Sequence, residues 1–136
     1  MICAVHAFIG AAAGRLIGRQ DGAMAAGVAS HLICDLLPHK DFDPRVEAPL
    51  LAVTLTFLGW RFGLKSPEFL GATGAVAPDV ENAASYVGLI SADDMKFPSH
   101  RGDHMHGPKV RSALPQGILA AVCLLFLLFA GRRARE

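Results

Sequence analysis

The sequence predicts an all-α, multi-pass membrane helical bundle of about five helices, forming one membrane-embedded domain over residues 1–136. Three observations lead there. The 136 residues are 52% hydrophobic and only 18% charged, and the apolar residues come in long blocks rather than in the alternation of half-buried strands. Small residues recur at every fourth position, at Gly10, Gly14 and Gly18 and again at Ala23 and Gly27, a spacing that lets helix backbones approach closely in lipid. Finally, Leu114 to Ala130 contains no charged residue. At 1.5 Å per residue that segment covers roughly 25 Å, just short of the ~30 Å hydrocarbon core of a bilayer.

Residues 2–18 form the first predicted helix. No basic region precedes its apolar run, so it reads as a retained helix rather than a removed signal. Arg19-Gln20-Asp21-Gly22 is a polar, glycine-ended turn. Residues 23–37 form the second helix, which Pro38 ends by disfavouring helical geometry in the residue before it. A charged loop over 40–47 leads to a third helix at 48–64, whose Trp60 and Arg61 suit a membrane interface. Residues 67–90 begin with Pro67, a good first helical residue, and are interrupted by Pro78. Residues 91–113 make a His-rich polar loop, and residues 114–130 the last helix. Five crossings bring His6, the 31–43 stretch and the 91–113 loop out on one side of the membrane, whichever way the bundle is oriented. Lysines and arginines divide almost evenly between the two sides and leave that orientation open.

The totals also exclude some function classes. A net charge of +1 gives no electrostatic footprint for nucleic acid. Cys3, Cys34 and Cys123 lie in apolar runs without CxxC spacing, and read as small buried hydrophobes rather than a disulfide framework. The oligomeric state is left open.

The chemistry concentrates between Ser30 and Asp43. His31, Asp35 and His39 are spaced by four, which places helical residues on one face. If the first two helices fold back near residue 20, position k faces roughly position 40 minus k, and His6 comes to lie opposite Cys34 and Asp35. Asp79 follows Pro78 inside an apolar segment. It either caps the next helix or faces an interior site, because a carboxylate at membrane depth is costly. His100, His104 and His106 fall within the polar loop, as ligands or as groups that move protons.

Imidazole and carboxylate donors suit a divalent metal, zinc first, with manganese or iron as alternatives. The candidate ligands are His6, His31, Asp35 and Asp79 at depth, with His39, Asp41 and His100 nearer the surface and His104 and His106 in reserve. Asp35 and Asp79 are the candidate catalytic carboxylates, holding the metal or acting as base. So many donors leave room for two metals, as in paired-metal cleavage of phosphoesters. Each residue also has a plainer reading. His31 could bond a backbone carbonyl, Asp35 could pair with it between helices, and the 100–106 histidines could belong to a solvated loop. Their collection on one side favours a metal site.

Four islands carry a family resemblance: His6, Leu37-Pro38-His39-Lys40-Asp41, Ala77-Pro78-Asp79-Val80-Glu81 and His100-Arg101-Gly102. With these the chain resembles the small bacterial membrane-bound metal-dependent hydrolase-like proteins, and more distantly zinc-dependent phospholipase C. Glu81, a further secondary ligand candidate, stands where that family usually has a second aspartate. Histidines fall at 104 and 106, whereas the pattern expects one at 105, which is Met105. The resemblance implies a bacterial inner (cytoplasmic) membrane location, a lipid bilayer as partner, and a hydrolase acting on phosphoester or lipid-derived substrates. The alternative is a non-enzymatic inner-membrane protein with a structural or sensing metal site. Metal transport is disfavoured, because the third and fifth helices carry no polar relay.

Overall fold

The computed structural model describes residues 1–100 and 106–130. Within them lie six α-helices: α1 (Cys3–Ile17), α2 (Gln20–Asp35), α3 (Pro44–Phe62), α4 (Pro67–Val76), α5 (Asp79–Tyr86) and α6 (Leu114–Phe129). Among the described residues there is no strand, only one isolated parallel bridge between His39 and Lys109. The all-α expectation therefore holds. Local chemistry sets the helix ends. Gly18 closes α1 in a left-handed conformation (φ 70°), its N–H donating to the Gly14 carbonyl at 2.9 Å. Pro44 and Pro67 begin α3 and α4 behind side-chain caps. Asp43 accepts from the Arg45 N–H at 2.8 Å and Ser66 from the Phe69 N–H at 3.0 Å.

The membrane expectation is overturned. Among the described residues, no helix is long and apolar enough to cross a membrane. α6, the best candidate, has 16 residues, or about 24 Å at the helical rise. α3 has 19 residues but begins within the expected charged loop and contains Arg45, Glu47, Pro49 and Arg61. The segment expected as one helix over 67–90 is two, broken at Ala77–Pro78. The multi-pass bundle and the inner-membrane location are thus corrected together, and the expected bilayer partner loses the spans on which it rests.

The small-residue rows allow the close backbone approach that their spacing predicts. They admit α4 against α1 and α2 at once. A Cβ added at Gly10 would overlap the Gly71 carbonyl and the Ala75 Cβ, and one added at Gly27 would overlap the Gly71 carbonyl as well. α1 also packs on α2, α3 and α6. One core cluster joins Ala7, Ala11, Leu58, Phe62, Ala72, Val76 and Leu127; a second joins Met1, Ile2, Ala4, Val5 and Cys34. Buried Gln116 of α6 ties the start of the chain to the loop after α2, accepting from the Ile2 N–H at 3.2 Å and donating to the Lys40 carbonyl at 3.0 Å.

Candidate metal centre

The site forms where the C-terminal end of α2 meets the start of α1, the α4–α5 break and the turn at Pro98–His100. His31 and Asp35, one helical turn apart, point to one face, with His31 Nε2 3.0 Å from Asp35 Oδ2. The antiparallel fold-back places His6 Nε2 3.1 Å from Asp35 Oδ1, and the His6 and His31 rings stack with centroids 4.1 Å apart. Side-chain exposure is 1% at His6, 0% at His31 and 2% at Asp35. Asp79 and His100 join from the other side. His100 Nε2 lies 3.7 Å from Asp79 Oδ1 and 4.0 Å from Asp35 Oδ2, and His31 Nδ1 lies 3.9 Å from Asp79 Oδ2. His100 thus belongs to the deep group rather than the surface, where the sequence places it. Phe97 stands edge-on to His31, with ring centroids 5.6 Å apart.

The proton positions are informative. His31 Nδ1–H donates to the Ala75 carbonyl at 2.7 Å, which in the neutral ring leaves the Nε2 lone pair turned toward the Asp35 carboxylate. That nitrogen is near enough for an ion pair but is not aligned for a hydrogen bond. His6 Nε2–H donates to Asp35, and its Nδ1 is buried without a hydrogen-bond partner. Asp79 Oδ2 and His100 Nδ1 are buried and unpartnered too. Buried polar atoms are rarely left so, and these belong to residues whose ligand atoms lie within 4.8 Å of one another. Orienting an imidazole by a carbonyl on its other nitrogen is also how ligating histidines are usually fixed.

Electrostatics follow from burial and from the pairing. Burial lowers the His6 pKa to about 4 and raises that of Asp79 to about 6. At Asp35 burial acts upward, but His31 and His6 outweigh it and hold the carboxyl well below its usual range. At His31 burial acts downward, but Asp35 and Asp79 outweigh it and raise the ring above its ordinary value.

A second group lies at the rim. One ligand atom from each of Asp35, His39 and His106 falls within 4.8 Å of the others, as is true of His6, His31 and Asp79 and of His31, Asp35 and His100. His39 lies beyond the helix, as the stop at Pro38 predicts, since α2 ends at Asp35. Loop backbone carries it to His106 and Asp41, with Nε2 3.2 Å from His106 Nε2 and 3.3 Å from Asp41 Oδ1. Asp41 also meets the Met1 amino group at 3.2 Å and Lys109 at 3.5 Å, and that amino group is 3.3 Å from Asp35.

The remaining candidates fall elsewhere. Glu81 accepts from the Lys96 and Phe97 N–H groups at 3.0 and 2.8 Å, so it shapes the approach to His100. Asp43 is spent on capping α3. Asp79 is the first residue of α5, behind Pro78, and makes no capping bond. His104 lies outside the described residues. Sequence reasoning missed the Ala75 carbonyl, which no side chain signals, and Gly107, where a Cβ would overlap the Leu37 carbonyl. A histidine followed by glycine was the only hint of that close approach. His/Asp clusters able to hold a metal ion are therefore present. Neither a family model, nor a curated protein, nor a solved structure matches the chain.

Proposed function

We propose that the chain is a metal-dependent hydrolase of phosphoesters, and that its motif islands reflect kinship with the membrane-bound metal-dependent hydrolase-like proteins it resembles. The observation that carries this reading is the clustering of ligand atoms from His6, His31 and Asp79, and from His31, Asp35 and His100, each set within 4.8 Å, in a region where His6 Nδ1, His31 Nε2 and Asp79 Oδ2 are buried without hydrogen-bond partners. The donors are imidazole and carboxylate, which favours zinc, with manganese or ferrous iron the alternatives. A divalent ion so held would lower the pKa of a water to about 7 and polarise the phosphoryl oxygens. The chain's own residues divide the rest of the work. His6, His31 and Asp35 are enclosed and hold the ion, with Ala75 and Asp35 fixing the rings. Asp79 is the more accessible carboxylate, 16% exposed, and takes the proton from the attacking water. In the net reaction the water oxygen bonds to phosphorus, the ester P–O bond breaks, and the alcohol leaves with a proton.

A second reading, a structural or sensing metal site, is favoured by the near-complete enclosure of His6, His31 and Asp35. Elemental analysis of the purified chain and turnover of a chromogenic phosphodiester separate the two. The hydrolase reading expects stoichiometric metal that is lost in His31→Ala and Asp35→Ala. It also expects turnover that falls at least about 100-fold in Asp79→Asn while metal is retained. Stoichiometric metal without turnover on phosphomonoesters or phosphodiesters selects the second reading, and absence of metal removes both.

A further inference from the structure

The geometry points to a second cation site at the rim, held by His39, His106 and Asp41 and bridged to the deep group by Asp35. His39 Nδ1 meets the Leu37 carbonyl at 2.7 Å and His106 Nδ1 meets the Gly107 carbonyl at 3.3 Å. A carbonyl only accepts, so each Nδ1 carries the hydrogen. In the neutral rings both Nε2 atoms then present lone pairs to one another at 3.2 Å. The Asp41 carboxylate adds a third acceptor 3.3 Å from His39 Nε2. Asp41 is already met by the Met1 amino group at 3.2 Å and by Lys109 at 3.5 Å, but the two facing imidazole lone pairs, with an Asp35 ligand atom within 4.8 Å, repel unless a cation or a proton stands among them.

The spacing favours an ion. Two imidazole nitrogens bound to one tetrahedral zinc at about 2.0–2.1 Å sit about 3.3 Å apart, and the rim nitrogens are already at that separation. The two strands of chain are also pinned together by backbone. The Gly107 N–H donates to the Asp35 carbonyl at 2.6 Å, the His39 N–H to Pro108 at 3.2 Å and the Val110 N–H to His39 at 2.9 Å. The absent side chain at Gly107 lets this segment pass over Leu37. Asp35 belongs to both ligand groups. Two ions sharing a carboxylate form the clamp that steadies the attacking and leaving oxygens of a phosphoester. The site rests on the hydrolase reading only for that use, not for its existence.

The test counts ions. Metal-stripped full-length chain is dialysed against Zn²⁺ and its bound zinc measured by elemental analysis. Two equivalents are expected in the wild type and one in His106→Ala, whose helix content should be unchanged because position 106 lies outside every helix. His106→Cys loaded with Co²⁺ should gain a thiolate-to-cobalt charge-transfer absorption. One zinc in the wild type, two in His106→Ala, or no new absorption in His106→Cys would each overturn the rim site. In that case a shared proton, not an ion, joins the two rings. One zinc with phosphoester turnover overturns the rim site and leaves the hydrolase reading. Two zincs without turnover do the reverse.

Discussion

The deep and rim groups use the same donors on different scaffolds. His6, His31 and Asp35 are positioned by two helices that α4 holds at fixed spacing through Gly10, Gly27 and Gly71. His39, Asp41 and His106 are positioned by two loop segments joined by backbone hydrogen bonds from Gly107 to Asp35, from His39 to Pro108 and from Val110 to His39. Helices fix side chains by periodicity and packing, whereas loops fix them by backbone hydrogen bonds and close approaches. The deep group should therefore answer to changes in the core, and the rim group to changes in one short stretch of main chain.

Asp35 is the residue on which the contrast turns. Asp35→Ala should release metal from both groups and leave two buried histidines without their partner, destabilising the fold by on the order of 3–5 kcal/mol in chemical denaturation. Asp41→Ala, at a position 36% exposed, should change stability by less than about 1 kcal/mol and affect only the rim ion. Equal losses from the two variants would erase the distinction. The glycines give the next largest effect. Gly71→Ala places a methyl on the Gly10 carbonyl and should cost about 1–3 kcal/mol by overpacking, weakening the deep site. Gly107→Ala should cost the rim ion while the deep ion stays, as read by bound zinc.

The two groups should also differ in pH dependence. An ion entering the deep group must displace the proton that the Asp35 and Asp79 carboxylates favour on His31. Affinity there should fall about tenfold per unit as pH drops through the raised His31 value, beginning above 6.5. His6, lowered to about 4 by burial, adds nothing to the slope until near that pH. His39 is held below its ordinary value by burial, so its own competition with the rim ion should begin at lower pH. Zinc titrations between pH 5 and 8, repeated in His106→Ala, would show whether the two slopes separate. The smallest effect is a control away from both groups. Gly117, inside α6, faces open space, so Gly117→Ala should stabilise by about 0.5–1 kcal/mol and alter neither ion.

The same contrast explains what the sequence made legible. The four-residue spacing of His31 and Asp35 survives in α2, and the turn near residue 20 is enough to bring His6 across. Asp79 is marked by Pro78. None of the rim contact is periodic. His39 and His106 meet through a bridge between residues far apart in the chain, and Glu81 and Asp43 are set apart from the clustered residues by the backbone amides they face. The membrane expectation failed for a physical reason. The apolar runs are cut too short: α4 and α5 have 10 and 8 residues and α6 has 16, while the 19-residue α3 takes in Arg45, Glu47 and Arg61. Composition counts apolar residues without showing where helices break.

The overlap that would follow a side chain at Gly71 has a further consequence for binding heats. Ala75, whose carbonyl orients His31, lies one turn beyond Gly71 on the same helix. A slip of α4 along α1 and α2 would rotate the imidazole, and the glycine contacts oppose that slip. The deep His/Asp group is therefore ordered by the fold itself, before any ion would bind. Calorimetric loading of the deep site should accordingly show a small heat-capacity change, since little surface is left to bury when the ion arrives.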